Sequence, residues 1–457
     1  MWYNNIIETI GNTPLVKLNR IAAGMKATVL AKIEYMNPGG SIKDRIALGM
    51  VEDAERRGLI KEGGTIIEWT AGNTGIGLAI VCTIKGYKSI FVMPDKVSQE
   101  KIDLLRALGS EVVITPTAVK PEDPRSCYSV AEHLSKTIPN SYYPNQFENP
   151  YNPKAHFETT GPEIWAQTEG KVTHVVAAMG TGGTVTGIGK FLKSKNPEIK
   201  MIATDPVGSI YAEYFRTGHI SSETSPYKVE GMGGSKIPHT ADFSVIDDVV
   251  PVSDKDAFNC GRELSKAEAI FAGGSSGATM YAALQLAKGL DETAVVVAMI
   301  TDTGARYVSK MYSDTWMKEN NLTATHAGGK MGVTAADILG AKKNTKLIFT
   351  TPEAPLMDTF EMMKRNEISQ VPIISDGVAI GSINENKILS ILMGDENAKH
   401  GKVVGFMDKS FPVLPAETTI AGLSKEFSRE TPAVLISGED GSLRILTKSD
   451  LISAITA

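Results

Sequence analysis

The feature that most constrains the fold is an alternation of short apolar runs with helix-like segments, from residue 1 to about 320. The runs are apolar at successive positions, as expected for strands buried on both faces of a parallel sheet. They occupy residues 28–34, 66–68, 90–93, 112–115, 172–178, 201–204 and 294–300. Helix-like segments lie between them, for example at 99–108 and 187–195. The alternation predicts an α/β fold with open, mostly parallel sheets and crossover connections.

The composition is that of a folded protein with room for more than one domain. The chain has 457 residues, of which 42% are hydrophobic and 22% charged, close to the average of globular proteins. Its 47 basic and 52 acidic residues give a net charge of −5, which offers no basic surface for nucleic acids or membranes. No run approaches the ~18 apolar residues of a membrane span, and the first residues lack the features of a signal peptide. We therefore expect a cytoplasmic protein without nucleic-acid or membrane partners.

The cysteines and histidines predict neither a disulfide framework nor a metal site. Cys82, Cys127 and Cys260 are far apart and form no C-x-x-C pair, so reduced thiols are expected. The histidines show no H-E-x-x-H motif. For His156, which lies among polar residues, we favour a structural or substrate-channel role over metal ligation.

The character of the sequence changes after Trp316. Residues 318–330 (KENNLTATHAGGK) have the composition of a linker. Two copies of a repeat follow, with a period of roughly 60 residues. Each copy has two apolar runs around an Asp-Gly turn, Asp376-Gly377 in the first and Asp440-Gly441 in the second. Because each copy is too small to bury its own apolar face, we expect the two to pack as a pair. The predicted divisions are a first domain at 1–317, a linker at 318–343 and a tandem module at 344–457.

The first of four glycine-rich clusters places a lysine at the start of a helix. Residues 37–45 read NPGGSIKDR and follow the strand-like run 28–34. Glycine and proline suit a tight turn and Ser41 can cap the helix, so Lys43 falls in its first turn. The positive helix end and Arg45 both disfavour a charged ammonium there, and a lysine with a lowered pKa is a nucleophile for carbonyls. An ordinary solvated lysine is the alternative interpretation of this motif alone.

The other three clusters predict anion-binding loops. Residues 70–77 (TAGNTGIG) open a helix-like segment, whose first N–H groups suit a carboxylate or a phosphate, although a plain glycine turn is the alternative. Residues 180–184 (GTGGT) look like a phosphate cradle, but Val185 breaks the dinucleotide pattern and no Walker A motif is present. Residues 273–277 (GGSSG) open a further helix-like run. Loops at the carboxyl ends of such strands converge on one crevice, and this combination indicates a pyridoxal phosphate (PLP) enzyme acting on amino acids.

Four stretches, at residues 37–45, 70–79, 155–165 and 180–184, resemble the family of cystathionine β-synthases and cysteine synthases. The resemblance covers about residues 2–317 and implies the fold-type II arrangement of PLP enzymes. The terminal repeat resembles a CBS-domain (Bateman) pair, which cysteine synthases usually lack. The implied function is a PLP-dependent lyase reaction that condenses L-serine, or an O-activated serine, with L-homocysteine to form cystathionine. The alternatives are a cysteine synthase using O-acetylserine and sulfide, and a catalytically silent adenosyl-ligand sensor.

The resemblance also implies roles for individual residues. Lys43 bonds the cofactor and acts in catalysis, Asn73 contacts the phenolic oxygen of the cofactor, and Ser275 faces its pyridine nitrogen. The phosphate of the cofactor is held by Gly180, Thr181, Gly182, Gly183 and Thr184. The substrate is bound by Thr70, Ala71, Gly72, Asn73 and Thr74, with Gln146 nearby. Residues 229–233 resemble the family's loop beside the active site.

Two positions depart from the family pattern. Many members have serine in place of Ala71, and many cystathionine β-synthases have tyrosine in place of Gly234. Both bear on the choice between free serine and an O-activated serine. The chain starts directly at the catalytic domain, without the haem-binding extension of some members, so we expect no haem. The resemblance further implies a homodimer or higher homo-oligomer.

The second copy of the terminal repeat carries a nucleotide-binding signature. Residues 447–450 (TKSD) match the T-x-x-D pattern of the family, in which threonine and aspartate hold the ribose of an adenosyl ligand. The first copy has Asn384 and Lys387 at the matching places. We therefore expect one site per chain, at Thr447 and Asp450, for S-adenosylmethionine or an adenine nucleotide. A purely structural or oligomerising pair is the alternative.

Overall fold

The computed structural model describes residues 2–95, 97, 99–117, 119–120, 123–220, 224–323, 334–342, 347–428, 431–438 and 441–456. The chain divides into two compact units between residues 323 and 324. All seven strand-like runs of the sequence form strands, and the two sheets of the first unit are mostly parallel. The predicted α/β class is thus confirmed.

The first unit contains a large sheet of six strands in the order β1-β2-β10-β7-β8-β9. These strands are β1 (Leu15–Lys17), β2 (Thr28–Ile33), β7 (His174–Ala178), β8 (Lys200–Pro206), β9 (Asp248–Val252) and β10 (Val295–Ile300). Only β1 runs antiparallel, against β2. Apolar clusters cover both faces of this sheet, which explains the continuous apolar runs of its central strands.

A smaller, fully parallel sheet has the order β5-β4-β3-β6. Its strands are β3 (Thr65–Trp69), β4 (Lys88–Pro94), β5 (Glu111–Thr115) and β6 (Ser141–Tyr142). The helices of the first unit are α1 (Lys43–Arg56), α2 (Asn73–Lys85), α3 (Gln99–Ala107), α4 (Cys127–Thr137), α5 (Tyr151–Ala155), α6 (Gly161–Gln167), α7 (Gly183–Lys195), α8 (Tyr211–Thr217), α9 (Asp254–Glu268), α10 (Gly274–Ala287) and α11 (Asp314–Glu319). A single π-helical turn, His156–Thr160, joins α5 to α6. Helix α7 starts four residues before the predicted segment, because the glycine cluster itself forms its first turn.

The second unit contains two small sheets. Its elements are α12 (Ala335–Ala341), α13 (Leu356–Arg365), β11 (Gln370–Ser375), β12 (Val378–Asn384), α14 (Glu385–Gly394), β13 (Val413–Pro415), α15 (Ile420–Glu426), β14 (Ala433–Ser437), β15 (Leu443–Thr447) and α16 (Lys448–Thr456). Strands β11 and β12 form an antiparallel hairpin, and so do β14 and β15, to which β13 adds in parallel. Asp376 and Gly377 turn the first hairpin with φ of 49° and 82°, as a two-residue Asp-Gly turn requires. Asp440 of the second predicted turn lies outside the described residues.

Side chains from both copies of the repeat share one small core. Ala379 of the first copy packs in the same cluster as Phe411, Leu435 and Leu443. The two copies therefore pack against one another, as the sequence predicts.

Part of the segment predicted as a linker is helical. Helix α12 lies within residues 318–343, and Ala335, Ile338 and Leu339 are buried against the sheet of the second copy. Its first residue follows Thr334, whose capping box with Asp337 fixes the helix start. Residues 324–333 and 343 lie outside the described residues, so the predicted domain boundaries remain a prediction. Among the described residues, no helix combines the length and apolar character that crossing a membrane requires.

Candidate active site

The four glycine-rich clusters meet at one cavity of about 180 Å³ at the carboxyl ends of the strands of the first unit. The site residues predicted from the sequence that line it are Lys43, Thr70, Ala71, Gly72, Asn73, Thr74, Gln146, Gly180, Thr181, Thr184 and Ser275. Gly182 and Gly183 belong to the same loop as Gly180 but do not line the cavity. The structure thus brings together the loops that the sequence assigned to one crevice.

Lys43 is the first residue of α1 and lies at the cavity wall. Gly40 turns the chain ahead of it with φ of 71°, and the Lys43 N–H donates to Ser41 Oγ at 3.2 Å. Burial lowers the pKa of Lys43 to about 8, and the negative charge of Asp302 partly opposes this shift. Such an amine is neutral in a sizeable fraction of molecules near neutral pH, as a nucleophile or base must be.

Arg45 does not act on Lys43 as the sequence analysis expected. Its guanidinium is buried and ion-paired with Glu34 and Glu163, both at 2.7 Å. Residues two positions apart on a helix point in nearly opposite directions, so Arg45 faces away from Lys43. The low pKa of Lys43 has burial as its main cause instead.

The loop of residues 70–74 leads into the start of α2 and is held in shape by the side chain of Thr70. Thr70 Oγ1 accepts hydrogen bonds from the N–H groups of Gly72 and Gly75 at 3.0 and 3.3 Å. Gly72 has a φ of 135°, and a Cβ there would lie 2.8 Å from Cδ of Lys101. Thr74 donates its hydroxyl to Gln146 Oε1 at 2.7 Å. Free N–H groups at a helix start attract a carboxylate, and the binding of the substrate by this loop stays a prediction.

The loop of residues 180–184 leads into α7 through Gly182, whose φ is 81°. A Cβ on Gly183 would lie 1.9 Å from Oδ1 of Asn152, so the close approach of these segments requires glycine. Asn152 Nδ2 in turn donates to Thr181 Oγ1 at 2.9 Å. The two threonine hydroxyls and the first N–H groups of α7 form an anion cradle.

His156 supports this cradle from behind. It is fully buried, its Nε2 lies 3.3 Å from Thr184 Oγ1, and its Nδ1 lies 2.9 Å from Thr160 Oγ1. Burial lowers its pKa well below the ordinary value, so the ring is neutral. Among the described residues, no group of three or more histidine, cysteine or acidic side chains could hold a metal ion.

Asn73 is held by both ends of its side-chain amide. Its Nδ2 donates to Asp302 Oδ2 at 2.8 Å, and its Oδ1 accepts from Arg306. The hydroxyl of Tyr307 donates to the same Asp302 oxygen at 2.6 Å. An amide nitrogen has two protons, so Asn73 keeps one for a bound molecule.

Several cavity residues were missed by the sequence analysis, because no local motif marks them. Trp69 and Phe147 stack with their ring centres 5.1 Å apart and their planes at 6°. Lys101 and Glu230 also line the cavity and form an ion pair with each other. Glu230 falls within the loop 229–233 that the sequence placed beside the site, which was the one available signal. Its second oxygen accepts from Lys310 Nζ at 2.6 Å.

The absence of a side chain at Gly234 leaves room for Tyr211 of α8. A Cβ at this position would lie 2.2 Å from the hydroxyl oxygen of Tyr211. That hydroxyl donates to the carbonyl of Gly180 at 2.9 Å. Tyr211 therefore supports the anion cradle from the space that a side chain at 234 would need.

In the second unit, Thr447 and Asp450 are joined by local hydrogen bonds. The N–H and hydroxyl of Thr447 both donate to Asp450 Oδ2 at 2.8 Å, and Lys342 Nζ contacts the same oxygen at 2.8 Å. At the matching places of the first copy, Asn384 Oδ1 accepts from the N–H of Lys387 at 2.9 Å. Both pairs cap the helix that follows. At these four positions the carboxylate is that of Asp450, whereas Lys387 of the first copy is ion-paired with Asp408 at 2.9 Å.

Comparison with known proteins agrees with this architecture. Residues 6–302 match the family described as pyridoxal-phosphate dependent enzyme, and residues 335–394 match the CBS domain. A cystathionine beta-synthase of Apis mellifera is 37% identical over 99% of this chain and 90% of its own. A cysteine synthase of Staphylococcus aureus is 45% identical over 67% of this chain and 96% of its own. The crystal structure of a hydrogen sulfide-producing enzyme from Fusobacterium nucleatum, 43% identical, has a TM-score of 0.62 and covers 67% of this chain and 98% of its own.

The cavity fits pyridoxal phosphate on structural grounds as well. Lys43 offers an amine for its aldehyde, the start of α7 offers donors for its phosphate, and Ser275 offers a hydroxyl at a third point of the wall. The family match over residues 6–302 assigns this cofactor, and the relatives assign a lyase-type reaction on small-molecule substrates. The chain belongs to the cystathionine β-synthase family of PLP-dependent enzymes, with a C-terminal CBS domain, and catalyses a PLP-dependent β-replacement.

Proposed function

We propose that the β-replacement joins L-serine, or an O-activated serine, to L-homocysteine and so forms cystathionine. The observation that carries this proposal is the second set of charges in the cavity. The loop 70–74 suits the carboxylate of the donor amino acid. Lys101 and Glu230, which come from other parts of the chain, add a positive and a negative charge to the wall of the same cavity. An amino-acid acceptor presents a carboxylate and an ammonium group to such a pair, and sulfide presents neither.

The site residues divide the work as follows. Lys43 would hold the cofactor covalently until the amine of the donor displaces it, and the freed Lys43 amine would then remove the proton from Cα of the donor and return a proton to the departing oxygen at Cβ. When bound, the cofactor withdraws electrons from Cα of the donor and so makes this proton removable. The N–H groups at the start of α2, including that of Thr74, and the hydroxyl of Thr70 hold the donor carboxylate, while the Thr74 hydroxyl donates to Gln146.

The cofactor is held at three further points in this proposal. Gly180, Thr181, Gly182, Gly183 and Thr184 bind the phosphate, with Gly182 and Gly183 acting through the backbone. Ser275 faces the pyridine nitrogen. Asn73 reaches the phenolic oxygen with the amide proton that Asp302 leaves free.

Cysteine synthesis from O-acetylserine and sulfide is the second candidate. It is supported by the 45% identity of the first unit to the Staphylococcus aureus cysteine synthase. We do not retain a catalytically silent sensor, because the chain belongs to an enzyme family and keeps Lys43 in a buried site.

A competition assay separates the two candidates. Serine and O-acetylserine are each offered with homocysteine and sulfide together, and cystathionine and cysteine are quantified. We expect cystathionine to predominate. Predominance of cysteine with both donors would move the assignment to cysteine synthase.

We further propose that the second unit binds an adenosyl ligand, S-adenosylmethionine or an adenine nucleotide, through Thr447 and Asp450. A carboxylate can accept from both hydroxyls of a ribose, which Lys387 at the matching place cannot do. We also propose that the chain forms a homodimer or a higher homo-oligomer and that it acts in the cytoplasm.

A further inference from the structure

Thr301 connects two serines of α10 at the wall of the candidate active site. Its Oγ1 lies 2.7 Å from Ser275 Oγ and 3.1 Å from Ser276 Oγ. Its backbone N–H donates to Ser276 Oγ at 2.9 Å. Ser275 and Thr301 line the cavity, whereas Ser276 is fully buried. The three hydroxyls therefore form a chain that runs from the protein interior to the cavity.

The direction of this chain follows from the burial of Ser276. A hydroxyl carries a single proton, and Ser276 Oγ already accepts from the N–H of Thr301. Within the described part of the chain, Thr301 Oγ1 is the acceptor that the structure shows for the Ser276 proton. In the opposite direction this proton would be buried without an acceptor, which costs free energy. Ser276 therefore donates to Thr301, which leaves the proton of Thr301 for Ser275 Oγ at 2.7 Å.

We propose that Thr301 is a positioning residue, which fixes the Ser275 hydroxyl as a hydrogen-bond donor toward the pyridine nitrogen of PLP. Because Ser275 accepts from Thr301, its own proton is left for an acceptor in the cavity. Hydroxyls linked in one direction polarise each other, which strengthens the last hydrogen bond of the chain. The inference rests on the proposed placement of Ser275 beside the pyridine nitrogen.

The consequence is a cofactor nitrogen that is hydrogen-bonded but not protonated. A serine hydroxyl is too weak an acid to protonate a pyridine, whereas a carboxylate at the same place would stabilise a pyridinium. The neutral ring withdraws electrons less strongly. This suits a reaction in which the leaving group at Cβ departs as soon as the Cα proton is removed.

The test uses full-length protein reconstituted with PLP labelled with ¹⁵N in the ring. The readouts are the ¹⁵N chemical shift and the apparent dissociation constant of PLP. For the wild-type chain we expect the shift of an unprotonated nitrogen that accepts a hydrogen bond. Thr301→Val should move the shift toward that of a nitrogen without a hydrogen bond and weaken PLP binding by about 2- to 12-fold, as for one neutral hydrogen bond. Thr301→Ser should restore both.

Thr204→Val is the matched control. Thr204 is fully buried on β8, and its Oγ1 has no hydrogen-bond partner among the described residues, so its loss should change neither readout. A protonated nitrogen in the wild-type chain overturns the proposed direction, even where a Thr301 variant fails to fold. A wild-type shift in Thr301→Val overturns the role of Thr301 if Ser275→Ala changes it. If the ¹⁵N shift is unchanged in Ser275→Ala as well, Ser275 does not lie beside the pyridine nitrogen. The competition assay with homocysteine and sulfide tests the proposed function independently of this result.

Discussion

The side-chain amide of Asn73 donates a hydrogen bond of 2.8 Å to Asp302 and so joins the start of α2 to the segment that follows β10. Asp302 is fully buried and also accepts from Tyr307 at 2.6 Å. Its charge raises the pKa of Lys43 against the larger effect of burial, which brings that pKa down to about 8. Asp302 therefore has two effects: it holds Asn73 of the loop 70–74 in place, and its charge raises the proton affinity of Lys43.

Asp302→Asn should lower the pKa of Lys43 further. The neutral form of the amine attacks the cofactor's aldehyde, so uptake of PLP by the apo chain should rise with pH around a midpoint of about 8 in the wild type. The variant removes the charge that favours the ammonium, and its midpoint should shift to lower pH. The measurement is the rate of covalent PLP attachment as a function of pH, followed by absorbance.

Asp53→Asn is the control for this experiment. Asp53 is a buried aspartate on α1, ten residues after Lys43 and thus about 15 Å along the helix. The pH midpoint of PLP attachment in Asp53→Asn should equal that of the wild type. A midpoint that stays unchanged in Asp302→Asn would mean that Asp302 does not act on Lys43.

Lys43→Ala should abolish turnover, because covalent binding of the cofactor and proton transfer at Cα both require this amine. The variant should fold normally, since Lys43 lies at a cavity wall and not in a packed core. Steady-state cystathionine formation and a thermal unfolding curve check the two statements. If PLP stays covalently attached to the Lys43→Ala chain after borohydride reduction, another lysine holds the cofactor.

Lys101→Met should impair amino-acid acceptors selectively. Its ammonium is nearly buried, with 4% of the side chain exposed, and pairs with Glu230 at the cavity. Loss of a charge-assisted contact to the acceptor carboxylate should reduce kcat/KM for homocysteine by about 10- to 150-fold. The value for sulfide, measured with the same donor, should change little.

Lys310→Met is the matched control for Lys101. Lys310 pairs with the other oxygen of Glu230 at 2.6 Å, is 32% exposed and does not appear in the cavity wall. Its loss leaves the Lys101–Glu230 pair in place, so homocysteine should be affected much less. An equal loss with homocysteine and sulfide in Lys101→Met would assign Lys101 to the shape of the cavity.

How far the sequence predicts this site depends on the distance along the chain over which residues interact. Lys43, the loop 70–74 and the loop 180–184 each carry a local signature, because a glycine cluster that opens a helix after a strand is written in consecutive residues. Lys101 and Glu230 are 129 positions apart. The loop 229–233 places Glu230 beside the site, but nothing in the sequence near Lys101 indicates that the two residues meet.

Arg45 shows the same limit within a single helix. The sequence places it two residues from Lys43, but its direction is set by the helical repeat and by the partners Glu34 and Glu163, which come from other elements. The helix α12 inside the predicted linker is a further case. Its apolar face becomes favourable only once the sheet of the second copy is present to cover it.

Glu163→Ala should destabilise the first unit strongly. Glu163 accepts from Lys32 at 2.6 Å and from Arg45 at 2.7 Å, and both cations are buried. Removing the shared carboxylate leaves Lys32 without an ion-pair partner and Arg45 with Glu34 alone, and should lower the free energy of unfolding by about 3–5 kcal/mol. Urea denaturation measures this. Glu169→Ala, which breaks an exposed pair of 2.6 Å with Lys171, should have little effect.

The same carboxylate should contribute to acid lability. Burial would raise the pKa of Glu163, but the hydrogen bonds and charges of Arg45 and Lys32 lower it from 4.5 to about 2. A depressed pKa in the folded state contributes stability above pH 4.5 that is lost as the pH falls toward about 2. Glu163→Gln should therefore lose less stability than the wild type over this range. Parallel losses in both proteins would contradict the assignment.

Asp450→Ala should abolish binding of an adenosyl ligand while Lys387→Ala, at the matching place of the first copy, should not. Asp450 is held by Thr447 and Lys342, so a ligand that uses its carboxylate must share or displace these contacts. Isothermal calorimetry of the full-length chain with S-adenosylmethionine, AMP and ATP should show one site per chain in the wild type and in Lys387→Ala. Because Asp450 also caps α16, the thermal unfolding of each variant is compared, so that loss of the ligand is not confused with loss of the helix.

An effector changes activity only if it binds one arrangement of the protein more tightly than another. Activity is therefore measured with and without the ligand that binds. Absence of heat with all three ligands would leave the pair as a structural or oligomerising module.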